Sequence, residues 1–335
     1  MFNNLINRHD FLSLAGKIKQ GRLARVFPRL ASSKQGKIKK YWDRVQNAPV
    51  NWWDVPAVRE RWNHLISGES KVDYHEYLSR KYLSDRESLN ALSLACGTGH
   101  RELRWAGLGK FQRIDAYDLS ETRIEYARNK ADLKGYNGII NYCVADVYKL
   151  EMRAGYYDLV LGEQSLHHFS PLKKILLKVN RFLKQNGYFV VNEFVGPTRF
   201  QWTDRQLAAV NGLLAILPAK YRMRYNSGAI KSRVFKPSRL RMILSDPSEA
   251  VESSSILPLL HQIFDVLEVR EYGGTVLHLL LAEIAHNFLS EDDETKRFLQ
   301  LCFETEDLLL ASRDIRSDFV IAVCRKRIAD PDPCS

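Results

Sequence analysis

A chain of 335 residues, 45% hydrophobic and 27% charged, can bury a large core and suits a globular enzyme built as one large domain or two modest ones. Its longest apolar runs, such as Val276 to Ala282, are too short to span a bilayer. Its start lacks an apolar stretch followed by a small-residue cleavage site, and five cysteines without paired spacing argue against a disulfide framework or a zinc site, so a cytoplasmic protein with reduced thiols and no metal is expected. The formal charge of +11 is uneven: residues 1–40 hold ten Lys and Arg against one acid, Asp10, and the rest of the chain is nearly neutral.

The basic arm, 1–45, contains Phe11, Leu14, Ala15 and Ile18 at helical spacing, with Asp10 placed to cap a helix and Gly21 to end it. Such an arm is either a solvated tail, a helix lying on an anionic membrane surface through residues 1–40, which would make the protein membrane-peripheral, or an RNA-binding segment. A helical cap follows over 46–88. Pro56 suits a first helical turn, Trp62, Leu65 and Ile66 share a face, and Gly68 is a stop; 69–88 is polar and reads as helical.

From residue 89 strands and helices alternate. Strands are predicted at 91–95, 113–117, 139–145, 157–162 and 188–194. Helices are predicted at 120–133, capped by Ser120, and from Ser170-Pro171 to Lys184, ended by Asn186-Gly187. This alternation implies an α/β fold with a doubly wound, mostly parallel sheet over 89–195. The rhythm breaks at Gly196-Pro197. An irregular helical insertion, 196–262, mixes aromatic and basic residues. The last part, 263–328, holds strands at 264–272 and 318–324 around a helical insertion at 275–312.

The strongest local signal is Leu92-Ser93-Leu94-Ala95-Cys96-Gly97-Thr98-Gly99-His100, a strand ending in a Gly-x-Gly turn. Glycine lets backbone approach a ligand, and the next helix offers free N–H groups. The dinucleotide fingerprint would need a third glycine where Glu102 stands, which speaks against a nicotinamide or flavin cofactor. Asp118 closes the second strand, 21 residues after Gly97. It suits a ribose diol, or else caps the helix at Ser120. Asp146, in Ala145-Asp146-Val147, ends the third strand, where it can accept from an exocyclic amine or serve only as a loop aspartate.

Together with Tyr157-Asp158-Leu159-Val160 and Leu166-His167-His168-Phe169, these motifs resemble the class I S-adenosylmethionine-dependent methyltransferases over about 89–195. The resemblance implies a seven-stranded Rossmann-like sheet and S-adenosyl-L-methionine as cofactor. It places Gly97 and Gly99 beside the methionine, Asp118 on the ribose hydroxyls, and Asp146 with Val147 around the adenine. Ala95, Cys96, Glu102, Leu119 and Glu163 complete the cofactor-binding set. The family usually has an acid where this chain has Ser93 and often a glycine at Ala95; Glu102 is positioned to compensate. The run from Asn192 to Asp204 and Tyr272-Gly273-Gly274-Thr275 are similar to a bacterial subgroup of such enzymes, with sugar or glycan modification as the suspected role.

For the acceptor, the expected catalytic residues are His167, His168 and Glu193, at strand ends on the ligand-binding edge of the sheet. A histidine there can take a proton from a hydroxyl, or it can pack or cap the helix at Ser170. His167, nearer the strand end, is expected to face the cleft and His168 the packed side. Trp202, Tyr221, Tyr225, Arg222 and Arg224 are candidate lid residues. The function expected is methyl transfer to a small-molecule or glycan hydroxyl. Gly162-Glu163-Gln164-Ser165 is not the motif of exocyclic-amine base methylases, and no cysteine stands where a C5-pyrimidine enzyme needs one, so nucleic acid is disfavoured. Ribose methylation of RNA and a catalytically inactive adenosyl-binding protein are the alternatives. Oligomeric state is not encoded in any motif.

Overall fold

The computed structural model describes residues 50–327 together with Gly36; the basic arm and its predicted helix lie outside the described residues. Seven strands form one sheet in the order β3-β2-β1-β4-β5-β7-β6. They are β1 Leu89–Leu94, β2 Phe111–Asp118, β3 Ile140–Val144, β4 Tyr157–Glu163, β5 Leu183–Phe194, β6 Phe264–Glu271 and β7 Phe319–Lys326. The pairings from β3 through β5 are parallel; β7 runs antiparallel to both β5 and β6. The doubly wound, mostly parallel sheet read from the alternation is present. Its strand order reverses at β1, so the carboxyl ends of β1 and β4 flank a crevice suited to ligands.

The central strands are sealed by helices on both faces, and β1 and β4 are buried along their whole length. The helices are α1 Pro56–Ser67, α2 Tyr74–Tyr82, α3 His100–Ala106, α4 Glu121–Leu133, α5 Leu172–Phe182, α6 Asp204–Ile216, α7 Arg239–Ser245, α8 Ile256–Ile263, α9 Leu277–Leu281 and α10 Asp293–Ala311. Helix α5 shows why these segments are helical. Leu172, Ile175, Leu176, Val179 and Phe182 recur at one-face spacing and are all buried, each worth roughly 1.5–3 kcal/mol of apolar transfer.

Two differences from the expected elements have local causes. Only Tyr74–Tyr82 of the polar 69–88 stretch is helical, with the Asp73 side chain accepting from the Glu76 N–H at its start. Helix α5 ends at Phe182, and Asn186-Gly187 lies inside β5, where the β4–β5 register shifts between Tyr157 and Leu159. A side chain at Gly187 would stand 3.0 Å from the Tyr157 carbonyl, so its glycine serves an irregularity of the ladder and not a helix end.

The C-terminal part locks the cap onto the sheet. Gly273 and Gly274 have φ of +74° and +77°, and the buried Glu306 carboxylate accepts the N–H groups of Gly274, Val276 and Leu277 at 3.1, 2.8 and 3.2 Å. Arg61 of α1 reaches the same carboxylate at 3.3 Å. This clamp fixes Tyr272 and the adjoining cap against the open end of the sheet.

Candidate active site

One cavity of about 1000 Å³ opens over the carboxyl ends of the parallel strands. Its first half is built by the turns after β1, β2 and β3. The chain leaves β1 with Ala95 and Gly97 at φ +52° and +58°. The turn is fixed by Cys96 N–H donating to the Tyr117 carbonyl at 3.0 Å and Gly97 N–H donating to Asp118 Oδ2 at 2.9 Å. Asp118 Oδ1 accepts the Ser120 N–H at 2.8 Å. Asp118 thus shapes the glycine turn and the start of α4 while still bordering the cavity, so the two sequence readings of it coexist. Each of its oxygens keeps a lone pair for a further donor. Burial pushes its carboxyl above the ordinary value, and the N–H bonds from Ser120 and Gly97 draw it back.

Ala95, Cys96, Gly97, Leu119, Asp146 and Val147 also line this half. Asp146 Oδ1 accepts the Tyr148 N–H at 3.0 Å, which fixes its loop. Gly99 is not on the wall. A side chain there would lie 2.4 Å from the Tyr142 hydroxyl and 2.7 Å from Ala127 Cβ, so its glycine is required by packing of α3 against α4 and β3. Glu102 lies beneath the wall. Its Oε1 accepts from Ser93 Oγ at 2.5 Å, its Oε2 is buried without a partner, and burial raises its pKa to about 7. Glu163 is buried as well. It accepts from the Tyr74 hydroxyl at 2.8 Å and Trp105 Nε1 at 3.2 Å, and so acts on the wall through Tyr74.

The histidine pair has the opposite orientation to the one expected. His167 is absent from the cavity wall. Its Nδ1 is paired with Glu193, and its Nε2 lies 3.6 Å from Glu249 Oε1. Burial lowers its pKa, but the acids around it, Glu193 first and then Glu249 and Asp246, together outweigh burial and hold it at about 9. Glu193 is fully buried, its oxygens accepting from the N–H groups of Ser165, Leu166 and Phe194 at 2.8, 2.6 and 2.7 Å. It fixes the turn after β4 and does not reach the cavity. Of the pair, His168 is the one on the wall, which His75 and His100 also border. Burial, then the neighbouring His167 charge, pushes its pKa well down, so it is neutral near pH 7. Ser248 Oγ lies 3.4 Å from its Nδ1. His167, His168 and Glu249 each bring a ligand-type atom within 4.8 Å of the others; the His167 imidazolium already meets the two carboxylates there.

The second half of the cavity comes from the cap. Asn51, Trp52, Trp53, Arg59, Trp62, Asn63 and Tyr74 face Asn192, Tyr272 and Phe319. The Tyr272 hydroxyl donates to Asn192 Oδ1 at 2.6 Å. None of these was singled out as a site residue from sequence. The signal for Asn192 was available: side chains alternate along a strand, so if Glu193 is buried below, its neighbour faces the ligand. Arg101 of α3 also reaches the wall, amid Tyr74, Glu163, Glu102 and Glu193, and has no hydrogen-bond or ion-pair partner among the described residues. The expected lid does not form. Trp202 and Tyr221 are buried, Trp202 against Phe200 and His278, and Tyr221 with its hydroxyl 2.9 Å from Thr295 Oγ1. Arg224 pairs with Glu283, and neither Arg222 nor Tyr225 borders the cavity. From the 196–262 insertion, Ser248 is the residue on the wall.

A single reversed strand, β7, inserted between β5 and the edge strand β6, a glycine turn after β1 and an acid after β2 define a class I methyltransferase fold. Residues 92–191 match the methyltransferase domain family. A demethylmenaquinone methyltransferase of Leptospira interrogans is 27% identical over 169 residues, which are 50% of this chain and 60% of that protein. A malonyl-[acyl-carrier protein] O-methyltransferase of Legionella pneumophila is 30% identical over 36% of this chain and 41% of its own length. The chain thus spans about 60% or less of these curated relatives. The geranyl diphosphate C-methyltransferase structure from Streptomyces coelicolor A3(2) has the same fold, with a TM-score of 0.51 at 14% identity over 90% of this chain and 100% of that one. Residues 92–191 thus form a methyltransferase domain, set in the fold of the class I S-adenosylmethionine-dependent enzymes. Its wall fits that cofactor: Asp118 has acceptor capacity to spare, and Leu119 and Val147 supply an apolar slot beside Asp146.

Proposed function

We propose that the protein transfers the methyl group of S-adenosylmethionine to a hydroxyl oxygen of a small-molecule or glycan acceptor. The observation that carries this reading is the continuity of the cavity, from Asp118 past His168 to the aromatic and amide wall of the cap. Asp118 accepts from the ribose diol, Asp146 and Val147 flank the base, and Arg101 holds the carboxylate of the amino-acid end. When bound, the cofactor supplies an electrophilic methyl group, which leaves alignment and proton removal to the protein.

Trp52, Trp53 and Trp62 offer flat faces on which a sugar or other ring stacks, while Asn51, Asn63 and Arg59 offer hydrogen bonds around it. His168, uncharged beside the His167 imidazolium, accepts the hydrogen bond of the acceptor hydroxyl and orients its lone pair. His167 and Glu193 act through it by fixing the turn. The aromatic wall also favours a second reading, methylation of a ring carbon on a quinone-like acceptor, as the names of several relatives suggest. Labelled cofactor incubated with cell-envelope glycans, isoprenoid quinones and RNA separates the cases. Base-stable, ether-linked label on a glycan or other hydroxyl supports the first reading, and label confined to a quinone ring carbon, to RNA or to a base-labile methyl ester overturns it.

A further inference from the structure

Between Asp204 and Asp246 the chain carries nine Lys and Arg residues and no acid. With +9 on residues 1–40 and +11 in all, the remainder of the chain is at −7, so this segment is a second basic region inside the folded body. Part of its charge is spent within the fold. Arg205, Lys220, Arg224 and Lys236 pair with Asp314, Glu294, Glu283 and Asp204, and Lys231 is buried with Nζ on three backbone carbonyls. Arg233 and Arg239 are exposed without an acid partner among the described residues.

The same segment exposes large apolar side chains. Met223 and Ile230 are joined by a β-bridge at the base of a tight hairpin and are 45% and 42% exposed. Ile216, at the end of α6, is 57% exposed. Leu240 and Ile243 lie three residues apart on α7, and both are exposed. Arg233 covers the ring of the exposed Phe235 at 5.4 Å. No helix of the described residues is long and apolar enough to cross a membrane.

We propose that the 216–243 surface seats the protein on an anionic lipid surface. The chemistry selects this partner. Aliphatic Ile, Leu and Met gain by leaving water for the acyl boundary, and the interleaved guanidinium groups gain from anionic headgroups. A nucleic acid would satisfy Arg233 and Arg239 but leave Ile216, Ile230 and Ile243 wet. The reading is independent of which acceptor the cavity takes, and of the basic arm.

The full chain tests it, with sedimentation on vesicles of phosphatidylcholine alone and of phosphatidylcholine with phosphatidylglycerol. Two variants are compared with wild type: Arg233→Gln with Arg239→Gln, and Ile230→Ser with Ile243→Ser. All four positions are exposed, and cofactor affinity and thermal unfolding serve as folding controls. Binding to anionic vesicles is expected to fall by at least about tenfold in the arginine variant, from roughly one kcal/mol per basic residue at the surface. The isoleucine variant should lose the fraction of binding that survives high salt. Wild-type vesicle binding in both variants would assign any membrane contact to the arm and overturn the proposal. Loss of RNA binding without loss of vesicle binding, or dissociation of a dimer by the isoleucine variant with no effect on vesicles, would overturn it equally.

Discussion

Ser93 Oγ donates to Glu102 Oε1 at 2.5 Å, so an acidic side chain on α3 reaches back to the end of β1. Glu102 is buried, and its pKa is lifted to about 7. Because the folded state holds a proton that the unfolded chain releases between about pH 4.5 and 7, this residue favours folding most at low pH, and its contribution fades as pH rises through 7. The Glu102→Gln protein is expected to unfold at the wild-type temperature at pH 5 and at a higher temperature at pH 8. A variant less stable than wild type at both values would mean that the carboxylate is ionised and paired.

Asp118 holds two backbone N–H groups and still faces the cavity. Asp118→Ala therefore loses both the shape of the glycine turn and a ligand contact. We expect its affinity for S-adenosylhomocysteine to fall at least tenfold in titration calorimetry, since charge-assisted hydrogen bonds contribute roughly 1.5–3 kcal/mol. NAD should give no heat with either protein. Unchanged affinity would remove Asp118 from the cofactor site.

Much of this arrangement is legible in the sequence because it is local. The 3.6-residue period of α5, the Ser120 cap and the glycine turn after β1 depend on neighbours a few positions away. The antiparallel insertion of β7 between β5 and β6, and the cap wall, depend on partners distant in the chain, such as Tyr272 and Asn192, 80 residues apart. His167 and His168 show the limit most clearly. Their rings lie only 4.0 Å apart on a short 3-10 turn, and which of them reaches the cleft is decided by Glu193, 26 residues on and buried beneath the turn. The insertion misled for another reason: its aromatic residues fill the core under α9 and α10 in place of a lid.

The two histidines should therefore separate in experiment. His168→Asn is expected to lower turnover by about 10²-fold with cofactor affinity kept, as for loss of a proton-accepting group. His167→Asn leaves the buried Glu193 and the half-buried Glu249 without their cation, and should cost about 3–5 kcal/mol of stability. The sign with pH follows from its raised value of about 9: the stabilisation is complete below the ordinary histidine pKa and is lost as pH rises through 9. The gap in unfolding temperature between wild type and His167→Asn should shrink from pH 6 to pH 9.5. A constant gap would show that the imidazole acts there by packing alone.

Trp53 tests the division of the cavity. It is 41% exposed yet lines the wall, so its removal should leave the core intact. Trp53→Ala is expected to keep wild-type stability and S-adenosylhomocysteine affinity while lowering kcat/KM for the acceptor up to about tenfold, in line with the roughly 0.5–1.5 kcal/mol of a lost aromatic contact. Loss of cofactor affinity instead would move the cofactor into the cap half.

Arg101 gives the sharpest test of how the amino-acid end is held. It is the second residue of α3, directly after the turn formed by Ala95 to Gly99, and its guanidinium reaches the wall beside Tyr74. The side chains of Glu163, Glu102 and Glu193 surround it without an ion pair, so its charge is free to meet an incoming anion. S-adenosylhomocysteine carries such a carboxylate, and 5′-methylthioadenosine has the same adenosyl and sulfur groups without it. Arg101→Gln is expected to weaken S-adenosylhomocysteine at least tenfold and to leave methylthioadenosine unchanged, the size following from one charge-assisted contact of roughly 1.5–3 kcal/mol. Arg101→Lys should recover part of the loss, because a lysine keeps the charge but not the forked geometry. Equal weakening of both ligands would mean that Arg101 supports the wall through its acidic neighbours. No weakening of either would place its anion on the acceptor.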